Sequence, residues 1–421
     1  MEAAELHQET PGPRAALKNR NYQLYLGGQI VSQSGGWMAR IAQAWLVLEL
    51  TDSPAVLGMV VTLQFLPILL LSLFAGAVAD RYPKRRTLLV LQVIAMGQAF
   101  ALGFLVAGGL VQIWHIYILA AVLGLTTALE QPLRQAFPAE LVGRALIPSA
   151  VALNSATFST ARILGPALGG AVVAALGVAG AFFLNGVSYV AVIVTLALMR
   201  LRDRESAAAA PTGGNALSQI VESVRYARWN PTILFTLCVL SCLGVFGFNY
   251  STFLPLVARY ELQLGSSGYG TLSAALGVGA VVGALVIARL GYDTPYRQVV
   301  GGIVFSLLLA AFALSPWLGL SLLLLAGLGV AGVFFTTTAN TTLQLEAPDQ
   351  MRGRMMGLYT FLLMGMTPPG ATVTGWLANL WGIRTALALE ALICLVGVLI
   401  GWRYLSRSVP VLSRGDAQTR A

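Results

Sequence analysis

Between Pro54 and Arg86 the chain reads PAVLGMVVTLQFLPILLLSLFAGAVADRYPKRR, and this stretch decides the fold class. Residues 54–79 carry no charge, more than the ~20 residues one bilayer crossing needs. The run then meets Asp80, Arg81, Lys84, Arg85 and Arg86 within a few positions. An apolar segment of that length ending on clustered basic residues has the pattern of a transmembrane helix emerging in the cytoplasm. Working outward, the same pattern recurs along the whole chain. Of the 421 residues, 57% are hydrophobic and 10% are charged, against ~25% charged in a soluble domain. That excludes a soluble enzyme, a disordered chain and a nucleic-acid binder, and it supplies material for roughly a dozen spans of ~20 residues.

Scarce residues narrow the chemistry. The two histidines are His7 and His115, so no His-ligated metal site is expected. The two lysines, Lys18 and Lys84, follow Leu17 and Pro83, so no phosphate-binding loop of the Gly-Lys type exists and ATP is not an expected partner. Cys238, Cys242 and Cys394 lie in apolar runs and read as small buried hydrophobes. No cofactor is expected. Residues 1–20 are polar and do not read as a signal peptide.

Twelve spans are expected, at 22–48, 54–79, 87–107, 111–137, 147–175, 178–199, 231–258, 268–290, 297–315, 317–341, 353–380 and 383–403. With the N-terminus inside, all but four of the 26 basic residues fall on the cytoplasmic side. Arg259 and Arg384 lie outside, and Arg40 and Arg162 within spans. The expectation is a multi-pass inner-membrane protein with both termini cytoplasmic. Its parts are an N-terminal tail over 1–21, six helices over 22–199, a linker over 200–230, six helices over 231–403 and a tail over 404–421. Leu217, Ile220, Val221 and Val224 give that linker an amphipathic helix.

The halves also resemble each other. Pro138 and Gly143-Arg144 match Pro348 and Gly353-Arg354; Glu49, Leu50 and Gly58 match Glu261, Leu262 and Gly270; Gly170 and Gly177 match Gly375 and Gly382. Nearly equal offsets support a duplicated six-helix unit, typical of secondary transporters.

Three motifs add direction. The loop from Gly76 through Asp80, Arg81 and Arg85 resembles the signature loop of the major facilitator superfamily, with Pro83 where that family usually has glycine. The resemblance implies a cytoplasmic lock in which Asp80 pairs with Arg354 or the start of span eleven. Gly165-Pro166-Ala-Leu-Gly169-Gly170 resembles the superfamily's antiporter motif, which marks exporters; small residues at this spacing also let helices approach closely. The stretches Glu130-Gln-Pro132-Leu-Arg134-Gln135-Ala136, Glu140-Leu-Val and Ala152-Leu-Asn154-Ser155 resemble the siderophore- and drug-exporting branch, which contains the enterobactin and macrolide exporters. The resemblance spans residues 15–405.

Ionisable groups inside a membrane are functional candidates. Glu130 reads either as a proton carrier or as the i,i+4 partner of Arg134. Arg162, with no acid on its own helix, is expected to face Glu130, so that the three form a cytoplasmic gate. Span one carries Gln29, Gln33, Gly36, Arg40 and Gln43 on one stripe, expected to wall a substrate cavity. Asn154, Asn249, Tyr250, Asn340 and Met364 are further cavity candidates. Amides, hydroxyls and aromatics dominate this set, which argues against a large, permanently anionic substrate. Glu390 in span twelve is expected to be structural or lipid-adjacent. The expected function is alternating-access, proton-coupled export of a small amphipathic molecule such as a drug, siderophore or secondary metabolite, working with protons and the lipid bilayer. The alternatives are an importer of a small nutrient and, remotely, an intramembrane serine protease built on Gly265-Ser266-Ser267-Gly268, which lacks a suitably placed histidine.

Overall fold

The computed structural model describes residues 15–143, 146–199, 222, 225–290 and 294–408, without the side chains of 72–81, 159, 290, 294–295 and 349–350. Its elements are helical among these residues. A 3-10 turn, Ala15–Lys18, leads into α1 (Arg20–Thr51), α2 (Pro54–Arg81), α3 (Lys84–Ala107) and α4 (Ile113–Val142). The run Ile147–Leu198 turns back at Gly177 (φ 71°, ψ 176°), dividing it into α5 (147–176) and α6 (178–198). Next come α7 (Pro231–Phe246), α8 (Tyr250–Leu256) with a π-helical turn Val257–Glu261, α9 (Ser266–Leu290), α10 (Thr294–Ala313) and α11 (Leu318–Glu346). The chain ends in α12 (Asp349–Gly365), α13 (Thr367–Trp381) and α14 (Ile383–Ser408).

Nine helical stretches among the described residues are long and apolar enough to cross a membrane. The expected first span, α1, is diluted by its glutamines, Arg40 and Glu49; the fifth and sixth share one run. Two breaks were not anticipated. The seventh span is interrupted over 247–249, and the eleventh at Met366, between α12 and α13. Pro368 and Pro369 explain the second break, since proline disfavours helix in the residue before it and suits the first turn of a new one.

Asn19 shows how the chain enters the bundle. Its carboxamide oxygen accepts the backbone N–H groups of Asn21 and Tyr22 at 2.9 and 3.2 Å, capping α1. Its amide donates to Leu141 O at 2.6 Å, tying α1 to the end of α4. The start of α1, the α2–α3 and α4–α5 links and the end of α14 share one end of the bundle, here the N-terminal face. The opposite end is the far face.

At the far face the two sets of helices cross closely at glycines. A Cβ on Gly58 of α2 would meet Ala371 O at 2.4 Å and the Gly375 Cα at 3.2 Å. A Cβ on Gly170 of α5 would meet Ser266 O at 2.7 Å and the Gly270 Cα at 3.0 Å. Gly58 and Gly270 each sit in the fifth position of their helix, and Gly177 and Gly382 both turn the chain at positive φ (71° and 80°). The duplicated pattern therefore places α2 against α13 and α5 against α9 as equivalent crossings. The third match does not extend to structure: Gly143 caps α4 at φ 77°, whereas Gly353 lies inside α12.

Candidate functional site

Among the described residues, two polar centres within the bundle hold arginines. The first is built on α4. Glu130 Oε1 lies 3.1 Å from Arg134 NH1 and accepts the Gln92 amide of α3 at 2.7 Å. Arg134 also donates to Gln29 of α1. Pro138 leaves the Arg134 carbonyl without its helical partner, and the Tyr25 hydroxyl takes that place at 3.2 Å. Gln29 and Gln92 are buried. Three helices thus converge on one carboxylate and one guanidinium, each compensating the other's desolvation.

Arg162 does not belong to this centre, contrary to expectation. A helix advances about 100° per residue, so the glycines of α5 set which way its other residues point. A Cβ on Gly165 would meet the Trp37 Cβ at 2.5 Å, and one on Gly169 the Met38 Cα at 2.8 Å. Gly165 and Gly169 therefore face α1, Gly170 faces α9, and Phe158, Arg162 and Pro166 open onto the gap between them. The antiporter-like motif joins α5 to two helices at once.

That gap is the second centre, a cavity of about 180 Å³ between α1, α5, α8 and α9. Arg40 and Arg162 line it together with Trp37, Phe158, Tyr250 and Tyr269. The Arg40 guanidinium lies 4.5 Å from the Trp37 ring centre. A narrow recess of about 20 Å³ continues past Arg40 to Gln43 and Gln64. Phe248, in the break between α7 and α8, stacks edge-on against Phe305 at 5.1 Å and completes the wall.

Of the expected cavity residues, Arg40 and Tyr250 line this space. Gln29 is held by Arg134. Asn249 is buried and donates to Val245 O at 2.5 Å, bracing the α7–α8 break against Gly370. Asn340 accepts from Gln344 at 2.5 Å on α11, and Met364 Sδ accepts from Gln131 at 3.3 Å across the two halves. Gln33 and Asn154 are half-buried and line neither space. Gly36 has open space before it, so the stripe reaches the cavity through Trp37 instead. Trp37, Phe158, Tyr269 and Gln92 were missed. Gln92, one of two amides in the otherwise apolar run of α3, was the legible signal among them.

At the N-terminal face Lys84 pairs with Glu140, and Arg85 donates to the carbonyls of Leu196 and Ala197 at 2.8 and 2.9 Å. Arg354 pairs with Glu222 of the linker at 2.5 Å. The side chains of Gly76, Asp80 and Arg81 lie outside the described residues, as does the expected amphipathic pattern Leu217 to Val224. At the far face Asp52 accepts from Arg259 and Tyr260, each at 3.0 Å. Arg384 pairs with Glu261 at 2.6 Å.

Glu390 is wholly buried rather than lipid-adjacent. Thr374 donates to its Oε1 at 2.6 Å, and Oε2 has no partner. His115 Nδ1 accepts the Gln112 N–H at 3.0 Å, capping α4, and is spent there as a helix cap. Ser267 O accepts from Thr271 inside α9.

The model for transmembrane secretion effectors matches residues 12–419. The chain is 26% identical to the multidrug efflux pump Tap of Mycolicibacterium fortuitum, over 89% of this chain and 94% of that protein. It is 25% identical to the staphyloferrin A transporter of Staphylococcus aureus, over 83% and 87% of the two chains. In fold it is similar to a bacterial homologue of the lysosomal transporter Spinster in an inward-facing, unoccupied conformation. That likeness has a TM-score of 0.72 and 12% identity, over 92% of this chain and 97% of the other.

Proposed function

The chain belongs to the transmembrane secretion effector family of major facilitator transporters, and from that premise we propose a twelve-span, proton-coupled exporter of small amphipathic molecules. It is a multi-pass membrane transporter and not an enzyme. The N-terminal face is the cytoplasmic one in this reading, and the membrane is the inner membrane. Drug efflux by the Mycolicibacterium relative supports export over nutrient import.

The observation that carries the coupling is the α4 centre. Glu130 is a carboxylate inside the bundle whose partners come from three helices of one half. Protonating it weakens its hold on Arg134 and on the Gln92 amide of α3, so the proton's arrival changes the packing of the half that walls the cavity. Alternating access follows if the far-face glycine crossings part while the cytoplasmic loops close. Asp80 and Arg354 serve that closure, with Arg354 leaving Glu222 in the outward-open state.

The test uses inside-out vesicles with an imposed acid-inside gradient and a panel of fluorescent amphiphiles. Accumulation that collapses with a protonophore is expected. Accumulation that persists after the gradient is dissipated contradicts proton coupling, and uptake in the opposite sense contradicts export.

A further inference from the structure

We propose that the cavity between the halves is an anion subsite, in which Arg40 and Arg162 hold the oxyanion of a flat, apolar organic acid. This rests on the transport reading and names the substrate class that reading leaves open: small aromatic or similarly rigid carboxylates and their sulfonate or phosphate equivalents.

Two guanidinium groups share one cavity of about 180 Å³, and among the described residues no carboxylate lines it or the recess beside it. The ion pairs of the described residues engage other arginines: Arg134, Arg259, Arg354 and Arg384. A cation away from bulk water is costly unless it is paired. Two like charges on one cavity add repulsion. The Trp37 ring beside Arg40 attracts the cation but supplies no countercharge. The missing component is an anion, and guanidinium is the side chain best shaped to take a planar oxyanion through two parallel N–H groups.

The rest of the wall says what the anion is attached to. Trp37, Phe158, Phe248 and Tyr250 offer ring surfaces on both sides of the gap, while Ser251 and Ser273 add hydroxyl donors. A ligand with a flat apolar body and one oxyanion satisfies both parts. An organic cation meets two positive charges and no counter-ion. The amides that made an anion look unfavourable from sequence are engaged elsewhere: Gln29 by Arg134, Asn249 by Val245 and Asn340 by Gln344.

The experiment is equilibrium dialysis of the purified full chain in phosphatidylcholine nanodiscs, with no gradient present. Three probes of one shape are compared: 1-naphthoate, neutral 1-naphthamide and cationic 1-naphthylmethylammonium. The naphthoate is expected to bind at least tenfold more tightly than the amide, and the cation not to compete. Arg162→Gln and Arg40→Gln are each expected to lower naphthoate affinity at least tenfold without changing that of the amide. Arg162→Lys should restore part of the preference, which separates lost charge from misfolding. Equal binding of the three probes, or a preference that survives both glutamine variants, overturns the proposal. Adding phosphatidylglycerol to the nanodiscs should leave naphthoate binding unchanged; if it abolishes that binding, the anion is a lipid headgroup and the substrate assignment fails. Lost anion preference with gradient-driven transport intact refutes the subsite alone. Intact preference in a protein that moves nothing refutes the export reading alone.

Discussion

Arg134 and Arg162 stand on consecutive helices of one half, yet their surroundings are opposite. Arg134 has a carboxylate at 3.1 Å and a glutamine from another helix, and its carbonyl takes a tyrosine hydroxyl. Arg162 faces a cavity lined by a second arginine and by rings. The first centre is internally complete, and in the proposed function it is the joint that a proton loosens. The second is complete only with a ligand. Buried carboxylates divide the same way: Glu130 has a cation and an amide, whereas Glu390 has one hydroxyl donor and an unpartnered oxygen.

The two arginines should respond differently when each is removed in turn. Arg134→Gln strands the Glu130 charge, and removing one partner of a buried pair costs about 3–5 kcal/mol. The thermal unfolding midpoint in detergent should fall steeply. Arg162→Gln should leave that midpoint unchanged or raise it, because it deletes an uncompensated charge. Equal losses would erase the distinction between joint and ligand site.

A somewhat smaller effect is expected from the glycine crossings. Gly58→Val places a Cβ 2.4 Å from Ala371 O, and overpacking costs about 1–3 kcal/mol. It should also hold the far face apart, cut transport at least tenfold and raise alkylation of a cysteine placed at Ser53. Gly36→Ala, which meets open space, should do none of this. Smaller again is the effect of neutralising Glu390. Glu390→Gln keeps the Thr374 contact and should leave gradient-driven transport intact, measured in the same vesicles as Glu130→Gln. The least effect is at Asp52, which is exposed at the far face: Asp52→Asn should cost about 0.2–1 kcal/mol and lose its effect in high salt.

Much of this arrangement is legible in the residues. The spans end within a few positions of the apolar runs, because the bilayer imposes both length and charge placement. Glycine spacing announced close helix crossings, and the matched pairs Gly58/Gly270 and Gly170/Gly375 proved to be the crossing residues themselves. The partner of Arg162 was not legible. Its direction depends on the rotation of α5 about its own axis, set by Gly165 and Gly169 on α1, and a linear sequence does not state which neighbour a face meets. The breaks at 247–249 and Met366 were hidden by continuous hydropathy. The seventh remained apolar enough to read as one span, and only Pro368-Pro369 betrayed the other. Amides such as Asn249 read as cavity walls, but here they hold their own backbone.

Glu130 is the group assigned here to couple proton movement to transport. Glu130→Gln keeps an acceptor for Arg134 and removes the titrating charge. In vesicles loaded on one side with a transported amphiphile, the variant should retain exchange down the substrate gradient and lose accumulation driven by an acid-inside gradient. Full gradient-driven accumulation by Glu130→Gln would contradict the claim.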